Sequence, residues 1–281
     1  MLPNGLRHNL RRIQLNLSWI LGLKPKFITI DNKLRMYLDK GDSVGYSIGD
    51  YEPIAKREVK KYIKKGDVVI DCGASLGYFT LLFADLVRKE GKVYAFEPNE
   101  NNFPYLCKSL LHNKFLNRVE LCLGAITNKD GEGVLFVAPS AGGSVMYDEG
   151  RFSKKEVVPV HKIDTLFKDK KVDFIKMDID GSEIRALKGA RETIKNNPHL
   201  KMLIEFSPSR IVDTGNKPED LINLIKDYGF KIKCINEASG DLEPGDVYNA
   251  KRVSDCNKEG TKWGQYTNLL CVKKGEKYEP C

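Results

Sequence analysis

From residue 67 onward, short apolar runs alternate with segments in which apolar positions recur every three or four residues. Runs rich in β-branched and aromatic residues read as strands, and the longer three-to-four spacing reads as helices. The pattern predicts strands over residues 67–72, 92–97, 119–123, 172–178, 201–206, 230–235 and 268–273. It predicts helices over 78–88, 100–113 and 182–195, and another that starts at Asn216-Lys217-Pro218 and ends at Gly229. Asn99 is the expected N-cap of the second helix, with Phe103, Leu106, Leu110 and Leu111 on one face. Proline in the first turn and glycine just past the end frame the last one. Strands alternating with helices mean an α/β protein with a doubly wound, Rossmann-like sheet whose ligands sit at the C-terminal strand ends. Residues 1–50 and 124–171 break the rhythm and are expected to supply lid or substrate elements. Ser140-Ala-Gly-Gly-Ser144 reads as a mobile loop.

The chain has 281 residues, 41% of them apolar and 30% charged, enough to bury one large core. Its net charge of +8 is uneven. Residues 1–40 carry Arg7, Arg11, Arg12, Lys24, Lys26, Lys33, Arg35 and Lys40 against Asp31 and Asp39, a local excess of +6. The expected organisation is therefore a basic N-terminal arm or lid over 1–50 and a catalytic domain over 51–281. Within the arm, residues 15–23 (LNLSWILGL) are apolar but far shorter than the roughly 20 residues that span a bilayer, and no A-x-A-like site follows. The run reads as a helix that packs on the core or caps the active site. The alternative is a basic interfacial helix making peripheral contact with an anionic membrane. Seven cysteines, an odd number with no CxxC pair, argue against a zinc site or a disulfide framework and for free thiols in a reducing, cytoplasmic setting.

The chemistry concentrates at VVIDCGASLGYFT (residues 68–80), a buried-strand run, a glycine turn and the start of a helix. A strand-to-helix turn of this kind offers free backbone N–H groups to a ligand. Its spacing, Asp71-x-Gly73-x-x-x-Gly77, departs from the dinucleotide pattern G-x-G-x-x-G, and an acidic residue there would repel a pyrophosphate. A ligand with a cationic ammonium and sulfonium and no phosphate fits better, which points to S-adenosylmethionine (SAM). Its ribose diol needs a double acceptor, and Glu97 stands at the end of the second predicted strand, twenty positions after Gly77.

Asp71-x-Gly-Ala-x-x-Gly-Tyr-x-Thr80, Phe96-Glu-Pro98 with Asn102, and Ile163-Asp-Thr-Leu166 occur in that order. Asp173-Phe-Ile-Lys-Met-Asp-Ile-Asp-Gly-Ser-Glu183, Leu187-Lys-Gly-Ala190 and Ile204-Glu205 follow. Together, over residues 50–206, they resemble the FkbM family of class I SAM-dependent methyltransferases. The resemblance implies a seven-stranded sheet with a reversed final strand, SAM as methyl donor, and O-methylation of a saccharide, glycan or natural-product hydroxyl. It implies cofactor contacts from Asp71, Gly73, Ala74, Ser75, Gly77, Tyr78 and Phe79 in the turn, and from Glu97, Pro98, Asn102, Gly124, Ala125 and Asp178 beyond it. Tyr51-Glu-Pro53 matches a segment that precedes the first strand in the family, so Glu52 is expected to help close over the cofactor. Asp180 replaces the glutamate that many relatives carry.

Methyl transfer to an alcohol needs an acceptor held in line and a group that takes its proton. Asp178, at the end of the fourth main strand, is the first choice for that group, and His161, in Val158-Pro-Val-His161, is the alternative. Lys176 lies within an apolar strand and needs a carboxylate partner, for which Glu205 and Glu183 are the candidates. Asp178, Asp180 and Glu205 are oxygen ligands of the kind Mg²⁺ takes, but a metal is not favoured, since acids at strand ends commonly bind cofactor or cap helices. The basic arm raises RNA ribose 2′-O-methylation as a second reading, while Asp178-Ile-Asp-Gly181 is unlike the Asn/Asp-Pro-Pro-aromatic turn of base methylation. A SAM-fold scaffold without turnover is the third.

Overall fold

The structure, a computed structural model, describes residues 26–38, 51–137, 144–145, 154–236, 241–244 and 266–275. The apolar run at 15–23 and most of the segment 140–144 lie outside the described residues. In chain order the first strands are β1 (Phe27–Ile30), β2 (Leu34–Tyr37), β3 (Val68–Cys72), β4 (Lys92–Glu97), β5 (Val119–Leu123), β6 (Ala125–Ile126) and β7 (Gly131–Val137). They are followed by β8 (Ser144–Val145), β9 (Lys154–His161), β10 (Phe174–Met177), β11 (Lys201–Phe206), β12 (Phe230–Asn236), β13 (Asp241–Pro244) and β14 (Thr267–Lys273). The helices are α1 (Pro53–Tyr62), α2 (Tyr78–Val87), α3 (Phe103–His112), α4 (Ile163–Phe167), α5 (Glu183–Lys188), α6 (Arg191–Asn196), α7 (Pro208–Asp213) and α8 (Pro218–Asp227).

The main sheet runs β13-β12-β14-β11-β10-β3-β4-β5. Strands β5, β4, β3, β10 and β11 pair in parallel, and β14 enters antiparallel between β11 and β12. This is the expected seven-stranded arrangement with its last strand reversed, and β13 extends the edge by an eighth. Strand order reverses between β3 and β10, so a crevice forms outside their C-terminal ends, where doubly wound sheets bind ligands. Both strands are covered by helices on each face, which is why they read as continuous apolar runs. Their exceptions are Asp71 and Lys176, which are buried and stand opposite each other in register.

The helix predicted over 182–195 is two helices, because a Cβ on Gly189 would lie 2.3 Å from the Thr127 carbonyl oxygen and the chain bends to make that approach. Asp164 then takes over the cap of α6, accepting from Glu192 N at 3.1 Å and Thr193 N at 2.7 Å. The described part of the arm is a hairpin, β1–β2. Ile30, Leu34 and Met36 bury against the same core as α2, and Tyr37 N donates to Ser109 Oγ of α3 at 2.9 Å. Within 124–171 the described residues build a second sheet, β6-β9-β7-β8, and the second half of β9 alternates exposed and buried positions as a one-sided sheet requires. Among the described residues no helix is long and apolar enough to cross a membrane.

Candidate active site

The crevice is built from the turn after β3. Gly73 has φ +82°, and a Cβ there would sit 1.9 Å from the Asp178 carbonyl oxygen, so only glycine lets the end of β10 pass. Gly73 N and Ala74 N both donate to Phe96 O at 3.0 Å, and Gly77 N donates to Ala74 O at 2.9 Å. The turn is thereby fastened to the end of β4, which delivers Glu97. Its Oε2 accepts from Ser75 N at 2.7 Å, and its Oε1 accepts from Asn99 N at 2.9 Å and Asn102 Nδ2 at 3.2 Å. Burial pushes the Glu97 carboxyl up to about 7 in spite of these three donors.

A cavity of about 240 Å³ opens at this point. One half is lined by Gly73, Ser75, Phe96, Glu97, Pro98 and Asn102, with Ala125, Ile126 and Leu135 contributed from the second sheet. The other half is lined by Asp178, Ile179, Asp180, Ser182 and Glu205, with Tyr51 and Tyr266 at its edge. Four carboxylates line the cavity, and among the described residues no lysine, arginine or histidine does.

The cations stand behind the wall. Lys176, 2% exposed, donates to Asp178 Oδ2 at 2.9 Å and lies 4.9 Å from the centre of the Phe79 ring. Burial works against its ammonium, but Asp178, Asp71 and Glu52 outweigh that and hold its pKa above the ordinary value. The expected partners Glu205 and Glu183 are therefore replaced by Asp178, two residues along the same strand and so on the same face. Glu183 instead accepts from Ile179 N at 3.1 Å and Gly181 N at 3.3 Å, and burial pushes its carboxyl up to about 8. Arg210 Nε stands 3.7 Å from Asp180 Oδ1. Burial and then the neighbouring charges of Asp178, Asp180, Glu183 and Glu52 hold Glu205 well above the usual carboxylate range.

Of the residues expected to bind cofactor, Gly73, Ser75, Glu97, Pro98, Asn102, Ala125 and Asp178 meet on the cavity wall. The others stand off it. Asp71 is buried within β3, where Oδ2 accepts from Thr80 Oγ1 at 2.6 Å and burial raises its pKa. Glu52 accepts from Asn268 Nδ2 at 3.0 Å. Ala74 and Gly77 form the turn, and Tyr78 holds the lining residue Tyr51 through Tyr78 Oη donating to Tyr51 O at 3.0 Å. Phe79 lies under Lys176, and Gly124 backs on to His161, whose ring would meet a Cβ there at 3.3 Å. His161 is also off the lining: the pairing of β6 with β9 sets it beside Phe96, ring centres 6.5 Å apart, so the structure does not bring this candidate base to the cavity. Among the described residues no three or more His, Cys, Asp or Glu side chains come together as a metal-binding group, Asp178, Asp180 and Glu205 included. Sequence reasoning missed Ser182, Tyr266 and Leu135; the Ser182 hydroxyl alone had a signal, standing in the motif Asp-Gly-Ser-Glu183.

The switch-point crevice, the glycine turn and the buried acid at the end of β4 define a class I α/β methyltransferase architecture. The family description "Methyltransferase FkbM domain" matches residues 71–232. The chain belongs to this FkbM family of SAM-dependent methyltransferases. Solved structures similar to it include the methyltransferase FkbM from Methylobacillus flagellatus, 21% identical over 73% of this chain with a TM-score of 0.46. The match spans 43% of the length of that protein. A SAM-dependent O-methyltransferase from Thermotoga maritima is 13% identical over 81% of this chain and 67% of its own, with a TM-score of 0.44. Fibrillarin from Aeropyrum pernix, with natively bound SAM, is 14% identical over 78% of this chain and 74% of its own, with a TM-score of 0.42. No curated protein matches the chain.

Proposed function

We propose that the chain transfers a methyl group from SAM to a hydroxyl oxygen, on a saccharide, glycan or small natural product. The observation that carries the reading is Glu97, a buried carboxylate on the cavity wall fixed by three donors. The lining fits SAM on its own chemistry. A fixed double acceptor suits a ribose diol, and the acceptor oxygens of Asp178 and Asp180, with no cation on the described lining to repel it, suit a ligand that carries ammonium and sulfonium charge. Glu97 with Ser75 and Asn102 would hold the nucleoside end, and Asp178 would face the reacting end. When bound, SAM supplies a methyl group on a sulfonium sulfur and leaves as S-adenosylhomocysteine (SAH) after the acceptor oxygen takes that methyl.

The remaining task of the protein is to orient the hydroxyl and accept its proton. Lys176 binds one oxygen of Asp178 and fixes the carboxylate, leaving Oδ1 to accept from the acceptor hydroxyl and take its proton. A positioned base of this kind contributes about 10²- to 10⁴-fold. Ribose 2′-O-methylation of RNA would call for cations tracking phosphates, and the described lining supplies none. The test is to incubate the protein with labelled SAM and a panel of glycans, natural-product alcohols and RNA, then treat the product with alkali. A methyl ether keeps its label through hydrolysis. Label released as methanol would mean a carboxylate acceptor, and label retained only in RNA would favour the ribose reading.

A further inference from the structure

The Asp178 half of the cavity contains a polar group that nothing in the protein uses. Ser182 is on the lining and 1% exposed, and its Oγ has no hydrogen-bond partner. Serine immediately before a helix ordinarily spends its hydroxyl on the helix N-terminus, but Ser182 precedes α5 with φ −90° and ψ 4° and makes no such bond. Glu183 has taken over the local backbone donors, Ile179 N and Gly181 N. A buried hydroxyl without a partner costs free energy unless a ligand completes it.

The charges around this hydroxyl are already balanced. Asp178 is paired with Lys176, and Asp180 with Arg210. Among the described residues Glu205 forms no ion pair, and burial together with Asp178, Asp180, Glu183 and Glu52 holds its pKa well above the usual carboxylate range, a shift toward the protonated form. A protonated carboxyl is a hydrogen-bond donor as well as an acceptor. The wall thus presents hydroxyl and carboxyl hydrogen-bonding groups, and no lining cation among the described residues to meet an incoming anion.

We infer that Ser182 and Glu205, flanked by Asp178 and Asp180, form the acceptor subsite, and that it takes a neutral polyhydroxyl ring with adjacent free hydroxyls rather than a phosphorylated or carboxylated one. The inference rests on the methyl-transfer reading above. One ring hydroxyl meets Asp178, and its neighbour bonds Ser182 Oγ and Glu205. The arm's described cations, Lys26, Lys33 and Arg35, are not on the lining.

The experiment uses the full chain. Calorimetry first establishes the SAH concentration that saturates wild type, Ser182→Ala and Glu205→Gln. Saturation-transfer NMR on the SAH-loaded proteins then compares the methyl glycosides of glucose, mannose, rhamnose and N-acetylglucosamine with glucose 6-phosphate and methyl glucuronide. Neutral glycosides are expected to bind wild type at least about tenfold more tightly than the anionic sugars. Ser182→Ala is expected to weaken the neutral set about fivefold, the worth of one hydrogen bond. The variant removes an unbonded oxygen, so folding is not at issue. Glu205→Gln is expected to retain binding, because an amide keeps both donor and acceptor. Anionic sugars that bind as well as neutral ones, no neutral sugar bound to the loaded protein, or wild-type affinity in Ser182→Ala would each overturn the subsite. Failure of wild type to bind SAH would instead overturn the methyl-transfer reading beneath it.

Discussion

The two halves of the cavity are built on different principles. The polar frame of the Glu97 half is local: Gly73, Ser75, Glu97 and Asn102 fall within thirty residues, two backbone N–H groups and one side-chain amide bond a single carboxylate, and the second sheet adds only the apolar Ala125, Ile126 and Leu135. The Asp178 half draws on four separated stretches, around Tyr51, Asp178–Ser182, Glu205 and Tyr266, and is held by charges paired through the wall. A ligand common to a family can be held by a contiguous motif, whereas a surface assembled from remote segments can change one segment at a time. On the proposed reading, the contrast separates recognition of the cofactor from choice of acceptor.

The largest effect should come from the side to which the proposed function assigns the proton acceptor. Asp178→Asn keeps the shape and removes the proton acceptor, so methyl transfer to an accepted substrate should fall about 10²- to 10⁴-fold. A loss below tenfold in SAH release would take Asp178 out of the reaction. Lys176→Met strips the cation from Asp178 and Asp71 and should cost about 3–5 kcal/mol in urea unfolding, the price of leaving buried charge unpaired. An unchanged midpoint would mean that the pair does not hold this half together. Gly73→Ala, on the local side, forces a side chain on to the Asp178 carbonyl and should cost roughly 1–3 kcal/mol of strain. Wild-type stability there would show that the two strand ends can part.

The smallest of these effects is a pH dependence. Burial raises Glu97 to about 7 and Glu183 to about 8, above their ordinary value, so both bind protons more tightly folded than unfolded. Their contribution is complete below the unfolded pKa of about 4.5 and is lost as pH rises through 7 to 8. The urea midpoint of Glu97→Gln should therefore fall less than that of wild type between pH 5 and 8. Equal slopes would mean that Glu97 is solvated in the free protein.

The same division decides what could be read from the sequence. The strands of the main sheet are visible because both faces are covered and their apolar runs are unbroken. Glu97 is visible because its distance from the glycine turn is set by one helix and one strand. The hairpin β1–β2, the second sheet and the break at Gly189 were not, since each depends on contacts with segments far along the chain, such as Thr127 against Gly189. The partner of Lys176 had a signal in the two-residue period of a strand, which places Asp178 on its face, ahead of any remote glutamate. His161 gave the opposite lesson. Its place near the motifs in sequence did not bring it to the cavity, because the register of β9 with β6 turns it behind Phe96.

The most direct measurement is SAH binding by calorimetry across pH 5.5 to 8.5, on wild type and Glu97→Gln. Diol hydroxyls donate to the ionised carboxylate, so protons compete with the ligand. Wild-type affinity should hold above pH 7 and weaken below it, while Glu97→Gln should bind at least about tenfold more weakly at pH 8, the loss expected for hydrogen bonds to a charged group. A variant that binds SAH as well as wild type, or a wild type that does not bind it, would contradict the assignment of this cavity to the methyl donor.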